Sequence, residues 1–477
     1  MTQGLWELNM KKSVDSLALF DGYSRREWLR IGGLSCAGLS LSQLLRPTSL
    51  ATDVDALTTS FGRAKSCILI FLTGGPSQHE TFDPKPEAPR EIRGEFKSIA
   101  TSVPGIHFSE LLPKTAKLAQ HLAVIRSMHT DVHSHATSGY WMLTGFEHSS
   151  KGESEPPGPN DWPSMASAIG MMKPSKRSPF SSVVLPEPIV NNPNNPWPGQ
   201  DGGFMGHAWN PYLFKCDPSA ERFEIEGLNG TSGIAEARVT DRLSLLRQID
   251  WHFARRTRSE AVASADRVQQ RAFDVLQSAT TRNAFELEKE PAAIRDAYGR
   301  HKFGQSVLLA RRLVEAGVRL VQVNWPREPG DSNSGNPLWD THSANANRLR
   351  TVLCPKFDQT IPALISDLQA RGMLQETLVV MIGEFGRTPK INANGGRDHW
   401  GHCFSVALAG GGIRGGQVIG SSDRDGGYPV DRPLRPSDLS ATLFHLMGID
   451  PNGTFNDRMA RPRPLTLQGV PIRELAT

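Results

Sequence analysis

Four short segments of the chain concentrate groups able to bind a cation or move a proton. GGPSQHETFDPKP carries His79, Glu80 and Asp83, and MHTDVHSHATSGYWMLTG carries His129, Asp131, His133, His135, Thr137 and Ser138. WDTH contributes Asp340 and His342, and GEFGRTPKINANGGRDHWGH, residues 383–402, contributes Glu384, Arg387, Asp398, His399 and His402. Of the 14 histidines, His79, His129, His133, His135, His342, His399 and His402 fall in these segments. Imidazole together with carboxylate suits Zn²⁺ or Mn²⁺ first, with Ca²⁺ or Mg²⁺ as harder alternatives. Each segment alone also has an ordinary reading. Asp340 and His342, two apart, point the same way from an extended segment, but such a pair also makes a loop hydrogen bond. Glu384 and Arg387 could form a surface ion pair of little energetic weight. His133 and His135 could line a polar core. What points to one shared site is that the segments recur after successive predicted strands.

Those strands are legible as apolar, β-rich runs. KSCILIFLT over 65–73 ends in Gly74-Gly75-Pro76, a buried strand and a tight turn. HLAVIRS (121–127), SSVVL (181–185), VRLVQVNW (318–325), ETLVVMIG (376–383) and CFSVALAGGG (403–412) read the same way. Between them, GQSVLLARRLVEAGV and FDQTIPALISDLQARGM have helical spacing, the second with Pro362 in an early turn. PSDLSATLFHLMGIDP is a last helix, with Ser437 or Asp438 as its N-cap. Alternating strands and helices predict a three-layer α/β/α fold with a largely parallel central sheet. Ligands of such sheets bind beyond the carboxyl ends of the strands, where the four segments fall. Residues 186–235, rich in Pro, Asn and Gly, read as a long loop near the site. Residues 236–300 read as an amphipathic helical insertion.

Composition narrows the function. The 477 residues are 38% hydrophobic and 21% charged, an ordinary globular balance. Residues 1–51 hold six Lys/Arg and four Asp/Glu, leaving 47 against 45 in the rest, so there is no electrostatic case for nucleic acid. The five cysteines form no CxxC and no disulfide framework. Near the N-terminus, SRREWLRIGG followed by IGGLSCAGLSLSQLL resembles a twin-arginine export signal, with processing near Ala51. A chance Arg25-Arg26 pair on an amphipathic helix is the plainer alternative. The apolar run is too short and too glycine-rich for a transmembrane helix, and no other segment approaches the length of one. Residues 52–477 are then one exported domain, periplasmic or extracellular, delivered by the twin-arginine machinery.

The order of the segments resembles the alkaline-phosphatase and sulfatase superfamily. HATSGYWMLTG looks like its nucleophile loop and helix, ETLVVMIGEFGRT like its second-metal strand, and PSDLSATLFHLMGIDP like a late helix of sulfatases. More narrowly, GGPSxxxTFDPKP, WDTH, GEFGRTP and DHWG resemble the domain-of-unknown-function-1501 family, over roughly residues 65–450. The resemblance implies an alkaline-phosphatase-like fold and a metal-dependent hydrolase of phosphate or sulfate esters, small or polysaccharide. Asp340, His342 and His399 or His402 would bind one ion, and Glu384, Asp398 and Glu80 a second. Arg387 would hold the oxyanion, and Ser138 and Thr137 would contact substrate. The resemblance would require Cys or Ser at the nucleophile position, which holds His135 instead, so formylglycine chemistry is not supported and His135 is the expected general base toward water. Phe385 stands where the superfamily places a second ligand. A competing expectation is a non-catalytic exported protein with a structural metal that recognises a polysaccharide or cell-surface partner. Trp197, Trp209 and Tyr212 of the long loop suit that reading.

Overall fold

The computed structural model describes residues 57–150, 152, 155–190, 195–223, 278–327 and 338–476. The export signal over 1–51 and most of the helical insertion lie outside the described residues. Eight strands build the main sheet: β1 (Ser66–Phe71), β2 (Leu122–Met128), β3 (Ser182–Leu185), β4 (Tyr212–Leu213), β5 (Leu320–Asn324), β6 (Thr377–Ile382), β7 (Phe404–Gly410) and β8 (Gln417–Ile419). Their spatial order is β8-β2-β7-β6-β1-β5-β3-β4. β1 pairs parallel with β5 and β6, and β7 runs antiparallel to both its neighbours. The sheet is therefore largely parallel, as the strand–helix alternation predicts. β4 comes from the segment read as a long loop, so part of 186–235 extends the sheet instead.

β1, β5 and β6 are buried along their whole length. Strand geometry sends alternate side chains to opposite faces, and both faces are apolar here. Ile68, Ile70, Val323 and Met381 pack against α3 (Lys302–Glu315) and α4 (Cys354–Ala370). Leu69, Phe71, Val380 and Ile382 pack against α1 (His135–Thr144), α2 (Met165–Met172) and α5 (Pro436–Leu446). Helices thus cover both faces of the sheet. Of the helical insertion, residues 278–300 are described; Ala279–Phe285 and Ala292–Tyr298 are short helices.

Two local expectations change. Pro362 sits in the middle of α4, because that helix begins at Cys354 and continues from helical turns over Asn345–Leu353. The N-cap of α5 is Arg435, with Pro436 in the first turn; the Asp438 carboxylate accepts the Arg435 backbone N–H at 3.0 Å, closing the cap from inside the helix. Among the described residues, no helix is long and apolar enough to cross a membrane.

Candidate metal centre

The carboxyl ends of β1, β2 and β6 lie along one edge of the sheet. β7 runs the other way, so it enters from that edge, and residues 399–403 arrive there as well. After β1 the chain turns through 72–75. Gly74 has φ 110°, and a Cβ on it would lie 2.4 Å from the Asp340 nitrogen. Only glycine permits this approach of the β1 loop to the WDTH segment. The Thr73 carbonyl accepts the Trp339 N–H at 2.9 Å and holds that segment in register. Gly386–Arg387 pairs antiparallel with His399–Trp400, setting His399 opposite Arg387. His135 is the first residue of α1.

Asp340 is the centre of the arrangement, 4% exposed. Its Oδ2 lies 3.1 Å from His135 Nε2, and its Oδ1 lies 3.1 Å from His342 Nε2 and 3.2 Å from His399 Nε2. His342 Nε2 and His399 Nε2 are 2.8 Å apart. The other nitrogen of each ring is already engaged. His135 Nδ1 donates to Glu384 Oε1 at 2.6 Å, His342 Nδ1 to Asp398 Oδ1 at 2.8 Å, and His399 Nδ1 to the His133 carbonyl at 2.8 Å. Those acceptors have no proton to give, so each Nδ1 carries the hydrogen, and a ring in its neutral form turns a bare Nε2 lone pair toward Asp340. With all three rings neutral, those lone pairs and the carboxylate repel unless protons or a metal cation sit among them.

Protons satisfy only part of the cluster. Burial opposes charge on His135, but Asp340 and Glu384 outweigh it and push its pKa up to about 9. The hydrogen bond to Asp340 raises His342. Burial keeps His399 below the usual imidazole range, so this ring stays neutral near pH 7. Burial would raise Asp340, yet the three imidazoles and Arg387 hold its carboxyl far below the usual range. His135 Nε2 is buried, with Asp340 Oδ2 3.1 Å away as its nearest partner. This is the geometry of two ligands aimed at a common point. His135, Asp340 and His399 each offer a donor atom, all within 4.8 Å of one another. Three imidazoles and one carboxylate, each ring oriented by an oxygen on its far side, fit a transition-metal site.

Other expected residues lie elsewhere or act indirectly. Glu384 and Asp398 orient His135 and His342 rather than standing free for a second ion. Both Glu80 oxygens accept from Arg397, in a buried ion pair away from the cluster. The Phe385 ring packs 4.9 Å from His135 and 4.6 Å from His399, occupying the room beside them. The cluster that could hold an ion is His135, Asp340 and His399, with His342 beside them. His402 turns away and pairs with Asp131 at 3.0 Å. Ser138 is fully buried, its hydroxyl donating to the Glu384 carbonyl at 2.5 Å, and Thr137 is buried in α1. Neither faces a substrate.

Arg387 is fully buried and bonds the carbonyls of Gly74, Gly75 and Arg397 as well as Asp340. Its fork fixes Asp340 and is not presented to an oxyanion. His135, expected as a base, joins the ligand set; the signal available for that was its spacing from His133 and its place ten residues before Gly145. Trp197, expected on an exposed recognition loop, is buried and stacks on His135 at 5.7 Å.

No curated protein matches the chain. Among solved structures, it is similar to a sulfatase from Pseudoalteromonas sp. (12% identity, TM-score 0.40, covering 85% of this chain and 72% of that one). The lipoteichoic acid synthase LtaP from Listeria monocytogenes matches with 10% identity and TM-score 0.41, covering 89% and 82%. A phosphonate monoester hydrolase from Silicibacter pomeroyi matches with 15% identity and TM-score 0.35, covering 86% and 76%. The chain's own strands and helices show a large, mostly parallel sheet between helical layers. The family described as "Protein of unknown function (DUF1501)" matches residues 64–476, and the chain belongs to it.

Proposed function

We propose that the chain is an exported, metal-dependent hydrolase of phosphate or sulfate esters, with one ion held by His135, His342, His399 and Asp340. The observation that carries the proposal is the convergence of three Nε2 atoms on Asp340, with every Nδ1 already donated away. Three imidazoles favour Zn²⁺ or a neighbouring transition ion over Ca²⁺ or Mg²⁺. When bound, such an ion polarises an ester oxygen as a Lewis acid. The chain's own groups set up that chemistry. Glu384 and Asp398 hold the His135 and His342 rings in the tautomer that ligates, and Arg387 stops the Asp340 carboxylate from rotating. The Phe385 ring packs beside His135 and His399, and the Trp197 ring stacks on His135, which limits how these imidazoles can turn. The His342 side chain, 44% exposed, marks the side from which an ester would approach. The SRREWLRIGG motif supports export, and folding before transport would let the ion load in the cytoplasm.

The test is metal analysis of natively purified protein together with an ester panel. About one transition ion per chain is expected, lost in Asp340→Ala, with turnover of an aryl phosphate, phosphodiester or sulfate lost in parallel. Recovery of the protein without a transition ion would sink the proposal. One observation favours a second reading. Four protein donors fill a tetrahedral shell, the pattern of structural ions, and no hydroxyl at the start of α1 faces outward. Metal-loaded protein inert toward the whole panel would leave a non-catalytic exported binding protein.

A further inference from the structure

Thr73 ends the turn out of β1, 3% exposed. Its hydroxyl is shielded from solvent and has no hydrogen-bond partner in the protein. Burying a hydroxyl unpaired is unfavourable, and valine would fill the same space without that penalty. The backbone around it is held from three directions. Its N–H donates to the Phe71 carbonyl at 3.0 Å, its carbonyl accepts the Trp339 N–H at 2.9 Å, and the next N–H, of Gly74, donates to Glu384 Oε1 at 2.9 Å. The side chain thereby lines a cavity of about 20 Å³ together with His135 and Asp340, walled on other sides by Val190, Trp197, Arg327 and Leu338. That volume accommodates one water molecule and little more. A water there meets a rigid hydroxyl on one side and His135 and Asp340 on the other.

We infer that Thr73 is a positioning residue whose hydroxyl holds a single water against His135 and Asp340 for attack on the ester. The inference rests on the hydrolase reading. In the step it serves, the water oxygen bonds to phosphorus or sulfur and the bond to the departing oxygen breaks. One water proton ends on that oxygen, giving an alcohol and phosphate or sulfate.

The test compares the full-length metal-loaded protein with Thr73→Val, which keeps shape and removes the hydroxyl, and Thr73→Ser, which keeps the hydroxyl. The first readout needs no activity: relaxation of water protons by Mn²⁺-loaded protein, which reports exchanging water beside the ion. Thr73→Val is expected to keep its metal content and melting temperature but to lose part of the relaxation enhancement, and Thr73→Ser to recover it. On a turned-over ester, Thr73→Val is expected to lower kcat about tenfold with KM unchanged, the size of one lost hydrogen bond. Unchanged relaxation and kcat in Thr73→Val overturn the inference. So does loss of metal or of melting temperature, which would make Thr73 structural, or failure of serine to recover either readout. If the wild type hydrolyses nothing, the relaxation result decides alone: a difference keeps the water site while the hydrolase reading falls. If Mn²⁺ does not bind, Co²⁺-loaded protein supplies the same relaxation readout; if no transition ion binds, both fall.

Discussion

At the residue scale, Asp340 and its three imidazoles differ from an ordinary polar cluster in how their protons are arranged. An ordinary cluster alternates donors and acceptors, whereas here, once the rings are neutral, three acceptors face a fourth. Glu384→Gln therefore separates orientation from ligation. The amide keeps the size of the side chain but loses the charge that favours the His135 Nδ1–H tautomer. Metal affinity is expected to fall about tenfold to hundredfold with the fold intact, measured by competition with a chelating dye. The effect of pH has a definite sign. In the metal-free protein His135 is raised to about 9 from an unfolded value of about 6.5. Its contact with Asp340 and Glu384 thus stabilises fully below about pH 6.5, and that contribution is lost as pH rises toward 9. A metal must displace that proton, so apparent affinity is expected to rise about tenfold per pH unit across this window. Chelated protein should melt lower at pH 9 than at pH 6.5. A flat affinity profile would mean that His135 is not a ligand.

At the element scale, the ribbon of Gly386–Arg387 against His399–Trp400 joins the end of β6 to the start of β7 and carries much of the site. Its centre is Arg387, which bridges the β1 turn, the WDTH segment and the ribbon itself. Arg387→Met removes the guanidinium and strands the buried Asp340 charge and three carbonyls. The expected loss is about 3–5 kcal/mol by chemical denaturation of the metal-free protein; a change under about 1 kcal/mol would mean that water replaces the fork easily. How far all this was legible follows from what spacing encodes. Apolar runs with glycine-rich ends revealed β1, β5 and β6 and the edge where His342 and His399 gather. An apolar run does not encode its direction, so β7 was not seen as antiparallel. The clue was indirect: GEFGRTPKINANGGRDHWGH has no helical pattern, and a parallel neighbour needs a crossover of a dozen residues or more, usually a helix. Side-chain direction was the other blind spot. Residue type could not tell whether Arg387 faced substrate or the fold, or whether Glu80 faced the ion or Arg397.

At the scale of the whole molecule, the proposed ion fastens loops that the sheet alone does not fix relative to one another. His135 belongs to α1, Asp340 and His342 to the segment laid across the β1 turn, and His399 to the ribbon before β7. The sheet beneath them has its own apolar cores on both faces. At the opposite side of α3, a buried network of Arg311 with Glu290 and Asp367 stabilises the helical layer without any metal. Removing the ion should therefore loosen the edge and leave the sheet intact. At a free metal concentration a thousandfold above Kd, the bound ion stabilises by about 4 kcal/mol, which chelation would remove. Hydrogen exchange should then quicken in 72–75, 133–137, 338–342 and 384–400, while amides of β1 and β6 keep their protection. Uniform acceleration across β1 and β6 would instead make the ion a stabiliser of the whole domain and weaken the case for a working site. No change anywhere would mean that the three imidazoles and Asp340 close on one another without a metal.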